Sequence, residues 1–188
     1  MQGKEIRTIV FDLDGVILDS IGWMETAYKH SIGNNGLRFS RGAFIRTSGK
    51  SLEDCYREMF PLLDTSKIGK LMTLQREWQR ENFAQVKPFP RAKQVLSSLA
   101  EDHSLAIWSG RGSFLAERQL KLGGLDRYFS YKLFQDRIKT SKPNPEGIVR
   151  IMKALGSSPE KTVYVGDALN DIIAGRAANV TTIGALYG

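Results

Sequence analysis

Cysteine is almost absent from the 188-residue chain: Cys55 stands alone, so no internal disulfide can form. Its neighbours Asp54 and Glu58 would raise its thiol pKa, so it reads as an ordinary reduced cysteine. Long apolar runs are also missing. No stretch approaches the roughly 20 residues that a membrane span needs. The opening, Met1 to Ile6, carries Lys4 and Glu5 and lacks the charged-then-apolar pattern of a signal peptide. A cytoplasmic protein with no membrane partner is expected. The net charge is +7, yet no block of five or more basic residues occurs. A mildly basic surface that attracts small anions is therefore expected, and a nucleic-acid partner is not. There is no internal repeat and no low-complexity tract.

What is present is ordinary globular material, 41% hydrophobic and 25% charged, enough for one domain with an insertion. Arg7 to Phe11 is a short apolar run that ends in acidic residues and Gly15, which reads as a buried strand delivering Asp12 and Asp14 to a loop. Four more such runs follow: Ser104 to Trp108, Tyr131 to Phe134, Thr162 to Val165 and Val180 to Ile183. Between them, helical periodicity runs over Ala92 to Ala100, Ser113 to Leu122, Pro145 to Leu155 and Leu169 to Ala178. Strands alternating with helices of this length predict an α/β fold, a Rossmann-like parallel sheet with helices on both faces.

The stretch from about Ser20 to Val86 breaks the alternation, with several helical patterns and no strand. Leu71, Leu74, Trp78 and Phe83 fall on one stripe, and Trp23, Ala27 and Tyr28 on another. Asn34-Asn35-Gly36 marks a turn, and Lys87-Pro88-Phe89-Pro90 the return to the core. The expected organisation is a catalytic core of residues 1–19 and 87–188 with an inserted α-helical cap of residues 20–86.

In open parallel sheets the carboxyl ends of the strands form the ligand crevice. That places Asp12 and Asp14, Ser109 and Gly110, and Asp167 and Asp171 together, with Lys142 entering from the loop after the third strand. Asp12 and Asp14 are two apart at a strand end, so one can be a nucleophile while the other manages protons. A carboxylate that attacks phosphorus must approach an anion, which calls for a cation such as Mg²⁺ between them. Asp167 and Asp171 would supply further oxygen ligands, although an N-cap aspartate beside a solvated one is an equally ordinary reading of that pair. A hydroxyl at Ser109 and a backbone N–H at Gly110 make a site for phosphate oxygens, to which Arg111 can add charge. Lys142 precedes Pro143, which biases it to extended backbone.

In this order, Asp12-Leu13-Asp14-Gly15-Val16, Ser109, Lys142-Pro143 and Gly166-Asp167 through Asp171 resemble the four-motif signature of the haloacid dehalogenase superfamily, in its phosphatase branch. The resemblance spans essentially the whole chain, and the helical insert falls where that family carries its cap. It implies that Asp12 is the nucleophile and a magnesium ligand. Asp14 would protonate the leaving alcohol, then activate water, and lend its backbone carbonyl to the metal. Ser109 and Lys142 would bind the transferring phosphate, and Asp167 and Asp171 would serve the metal. Gly15 and its turn would be a hinge under the closing cap. True dehalogenases lack the second aspartate, so Asp14 favours phosphate-ester chemistry.

Two departures carry expectations. Trp108 is bulkier than the residue usual before the family's Ser or Thr, and should narrow the pocket. The chain ends just after the fifth strand, where many relatives continue, which should leave the sheet edge near Ile183 less well covered. Arg46 to Ser51, with Gly49 and the cations Arg46 and Lys50, is the candidate substrate loop, for a partner that is a small phosphorylated metabolite such as phosphoglycolate or a sugar phosphate. The same motifs serve a phosphomutase of the β-phosphoglucomutase type, a pyrophosphatase or a nucleotidase. A regulatory scaffold without catalysis is the reading from another class, and the intact set of Asp12, Asp14, Ser109, Lys142 and Asp167 argues against it.

Overall fold

The computed structural model describes residues 5–187. Five parallel strands form the central sheet: β1 (Thr8–Phe11), β4 (Ser104–Ser109), β5 (Phe129–Phe134), β6 (Thr162–Gly166) and β7 (Thr181–Gly184), in the order β5-β4-β1-β6-β7. All five expected strands are present, each within about two residues of its expected bounds. Two short strands, β2 (Leu18–Asp19) and β3 (Lys87–Pro88), pair antiparallel where the chain leaves the sheet and returns.

Side-chain alternation divides the core. Ile9 and Phe11 of β1 and Leu105 and Ile107 of β4 face one apolar cluster, which takes in Leu96 of α5 (Ala92–Asp102) and Ala116 and Leu120 of α6 (Ser113–Leu122). Val10, Ala106 and Trp108 face the other, with Ile148 and Ile151 of α7 (Glu146–Leu155) and Ala174 of α8 (Leu169–Ala177). Helices therefore cover both faces, as the strand-helix alternation predicts.

Four helices lie between β2 and β3: α1 (Ile21–Gly33), α2 (Arg41–Thr47), α3 (Leu52–Met59) and α4 (Thr65–Glu81). They enclose a cluster of their own, built on Tyr28, Ile32, Phe44, Tyr56, Ile68 and Leu71. The side chains of Ser40, Ser51 and Asp64 cap three of these helices by accepting from the amides of Ala43, Asp54 and Lys67. The α4 stripe differs from the expected one. Asn82 ends the helix, its side chain donating to the Trp78 carbonyl, so Phe83 falls in a following 3₁₀ turn. The residues α4 buries are Ile68, Leu71 and Gln75. Cys55 is buried among these helices, donates to the Thr47 carbonyl, and has its thiol pKa pushed up by burial.

Strand β7 is a sheet edge, and Ile183 on it is 50% exposed. Among the described residues no helix is long and apolar enough to cross a membrane.

Trp108 does not line the cavity at the strand ends. It packs instead on the face that carries α7, where its ring fills the space over Gly147: a Cβ on that glycine would lie 2.1 Å from Trp108 Cε2. The pocket is therefore not narrowed as expected, because Trp108 packs on the sheet face covered by α7 and not at the strand ends. Gly147→Ala is expected to cost about 1–3 kcal/mol by overpacking. In a Trp108→Leu background the same change should cost less, a coupling that a urea-denaturation double-mutant cycle measures.

Candidate active site

The carboxyl ends of β1, β4 and β6 open on a cavity of about 600 Å³. Asp12, Asp14, Ser109, Gly110 and Asp167 line it from the core, as their position past the strand ends predicts. Lys50 and Arg111 line it as well. Arg46 does not: its side chain is exposed, because α2 turns Ala43, Phe44 and Thr47 inward and leaves Arg46 facing out. Only its carbonyl approaches the core, 3.4 Å from Asn170 Nδ2.

Directly behind Asp12 stands Lys142, 1% exposed. Its ammonium donates to Asp12 Oδ1 at 2.6 Å and pairs with Asp171 Oδ1 at 2.7 Å. Asp171 is fully buried and also accepts from the Tyr164 hydroxyl (2.7 Å) and the Ala168 amide (3.0 Å). The rings of Trp108 and Tyr164 lie 5.0 and 5.4 Å from the ammonium. Trp108 thus serves as an aromatic floor under Lys142.

Burial pushes the Asp12 carboxyl well above the usual carboxylate range, although the Lys142 charge pulls it back and Asp171, Asp167 and Asp14 push it further up. Burial and then the Asp171 charge raise Asp167 to about 6. For Lys142, burial alone would favour the neutral amine, but Asp12 and Asp171 together outweigh it and hold the ammonium charged. One oxygen from each of Asp12, Asp167 and Asp171 lies within 4.8 Å of the others. Hard oxygen donors that repel one another at this spacing suit a divalent cation. Because the oxygens of Asp171 already accept from Lys142, Tyr164 and Ala168, Asp12 and Asp167 are the pair with most to offer it.

The helical insert sits against this site. Asn170 Nδ2 donates to the Ser48 carbonyl at 2.8 Å, and Ser141 Oγ to Asp54 Oδ2. A Cβ on Gly110 would lie 2.5 Å from the Lys50 carbonyl oxygen, so only glycine permits so close an approach of the 48–51 loop. Sequence reasoning missed Tyr164, Asn170 and Ser20. Tyr164 was hidden in an apolar strand run, while Ser20, which donates to Asp14 Oδ1, was visible as the last residue of F-D-L-D-G-V-I-L-D-S.

This site, on this sheet, is that of a hydrolase: the chain belongs to the haloacid dehalogenase-like hydrolases, whose family model matches residues 9–185. It is 33% identical over 179 residues to a pyrophosphatase PpaX of Oceanobacillus iheyensis, covering 94% of this chain and 82% of that one. Among solved structures it is similar to a hydrolase from Pseudomonas syringae (TM-score 0.86, 22% identity, covering 95% of this chain and 84% of the other). A predicted phosphoglycolate phosphatase from Haemophilus somnus gives a TM-score of 0.82 at 21% identity, covering 100% of this chain and 88% of the other. These two likenesses establish the fold.

Lys142→Met keeps the chain length and removes the charge, leaving Asp12 and Asp171 buried without their cation. The variant is expected to lose about 3–5 kcal/mol near neutral pH. The loss should shrink as pH falls: the Lys142 charge pulls the Asp12 pKa down, so its removal raises that pKa further, and the folded variant takes up a proton that relieves the buried charge at a pH where wild type does not. Urea denaturation from about pH 8 down to about pH 5 checks both the size and the sign.

Proposed function

We propose that this chain hydrolyses a small doubly anionic phosphoryl substrate through an aspartyl-phosphate on Asp12, with pyrophosphate as the first candidate. The observation that carries the substrate class is the lining of the cavity. Beyond the core carboxylates, the helical insert contributes Lys50, Arg76 and Arg80, and the loop after β5 contributes Lys139. Among the described residues, Arg76, Arg80 and Lys139 make no ion pair, so their charge is available to a second anionic group on the leaving side. Inorganic diphosphate is the shortest substrate that presents one, and the similarity to the Oceanobacillus iheyensis pyrophosphatase supports that choice. A carboxylated monoester such as phosphoglycolate presents the same pair of charges and is the second candidate.

In this reading an Asp12 oxygen bonds to phosphorus as the bond to the leaving oxygen breaks, and Asp14 gives that oxygen its proton. Water then attacks the phosphorus of the aspartyl-phosphate and gives a proton to Asp14, which releases phosphate and restores Asp12. Ser109 and the Gly110 amide hold the transferring group, while Lys142, which does not line the cavity, steadies the Asp12 carboxyl from behind and is itself held by Asp171. A Mg²⁺ ion held by Asp12, Asp167 and the Asp14 carbonyl would neutralise charge between nucleophile and phosphate. The insert forms the cap over residues 20–86, and its 48–51 loop excludes water from the intermediate.

Phosphate release from pyrophosphate, phosphoglycolate, sugar phosphates and nucleotides, with magnesium and with EDTA, tests this. Magnesium-dependent release, lost by at least about 100-fold in Asp12→Asn, is the expected result. Turnover of sugar phosphates alone would overturn the substrate class, and release by none would favour a scaffold without catalysis. Calcium, with its looser and higher coordination, should inhibit.

A further inference from the structure

Arg111 lies two residues past Ser109 and faces the cavity, where a cation would ordinarily be assigned to the substrate. One N–H on each terminal nitrogen, however, is already committed to the protein. Nη1 donates to Asp14 Oδ1 at 2.7 Å, Nη2 donates to Gln119 Oε1 at 2.6 Å, and the guanidinium lies 5.1 Å from the centre of the Trp23 ring. The partners are themselves fixed. Gln119 is 2% exposed and donates through Nε2 to the Phe83 carbonyl at 3.0 Å, and Trp23 Nε1 donates to the Asn82 carbonyl at 3.0 Å. The side chains of Arg111 and Asp14 are only 12% and 9% exposed.

The other donor to Asp14 is Ser20 Oγ, and it reaches the same oxygen, Oδ1. Ser20 stands where the chain leaves the core for the insert, and Asn82 and Phe83 stand where it comes back. Asp14 is therefore held by one donor rooted in the outgoing crossing and one braced against the returning crossing. Two donors on Oδ1 fix the plane of the carboxyl and assign any proton to Oδ2, because an oxygen that accepts from a guanidinium and a hydroxyl is the poorer place for it.

We propose that Arg111 is a positioning residue for proton transfer by Asp14 and not a substrate-binding cation. Braced by Gln119 and Trp23, it holds Oδ1 so that the Oδ2 proton meets the leaving-group oxygen. That oxygen takes the proton as its bond to phosphorus breaks, and Asp14 is left as the carboxylate. The inference rests on the aspartyl-phosphate reading above and adds a specific dependence: Arg111 matters in proportion to how much the leaving group needs a proton.

Leaving groups of differing basicity test this through kcat/KM, which reports the first phosphoryl transfer and not the later attack of water. Wild type and Arg111→Met are compared on p-nitrophenyl phosphate, whose leaving group departs unprotonated, and on an alkyl phosphate, whose leaving group does not. Magnesium-dependent cleavage of p-nitrophenyl phosphate by wild type, lost in Asp12→Asn, is the control. Its failure counts against the aspartyl-phosphate reading and is distinguishable from failure of the present one. The expected result is a loss of about 100-fold or more on the alkyl phosphate against about threefold or less on the aryl ester. Gln119→Leu leaves the guanidinium in place but removes its brace, and should reproduce the selectivity at smaller size; it decides the matter if Arg111→Met does not fold. An equal loss on both esters, or a rise in KM for anionic leaving groups with kcat retained, would overturn the proposal.

Discussion

The rest of the site depends on one buried ammonium, that of Lys142, held between Asp12 and Asp171. Three ionisable groups withdrawn from water are costly unless they neutralise one another and every remaining hydrogen bond is made. The surroundings meet that requirement residue by residue. The Tyr164 hydroxyl and the Ala168 amide serve Asp171, and the two aromatic rings flank the ammonium. Gly147 gives up its side chain so that Trp108 can lie where it does. The consequence for chemistry is that Asp12 is fixed at the cavity wall with a cation behind it, while Asp167 shares its oxygen cluster in front.

The second constraint is that the Asp14 carboxyl is tied to the insert. The loop at 48–51 touches Gly110 and Asn170 on the core, while Asp14 is held by Ser20 at the outgoing crossing and by Arg111, which Gln119 and Trp23 brace against the returning one. The short β2–β3 ribbon joins those crossings, with Asp19 opposite Lys87. A movement of the four helices would therefore alter both the water content of the cavity and the hold on the Asp14 carboxyl.

Much of this was legible in the sequence because it is local. A five-residue apolar run that ends in acidic residues announces both a buried strand and what it delivers, and strand-helix alternation announces a parallel sheet. Asp12, Asp14, Ser109, Gly110 and Asp167 follow directly from the rule that ligands meet the carboxyl ends of strands. What the sequence concealed depends on pairs distant along the chain. Trp108 looked like an obstruction because the glycine that receives it is at 147, and Arg46 looked like a substrate contact because helix phase, set by the burial of Phe44 and Thr47, cannot be read from one basic residue. Arg111 read as spare charge, since nothing near it in sequence points to Gln119 or Trp23.

The central claim is that Asp12 carries the phosphoryl group between substrate and water. Acid quench of the enzyme during turnover of its substrate with magnesium, followed by peptide mapping by mass spectrometry, tests it most directly. The account predicts one added phosphoryl group on the peptide that contains Asp12, formed as fast as the leaving group is released and labile at alkaline pH. Leaving-group release with no phosphorylated peptide, or a phosphoryl group on any other side chain, would contradict it.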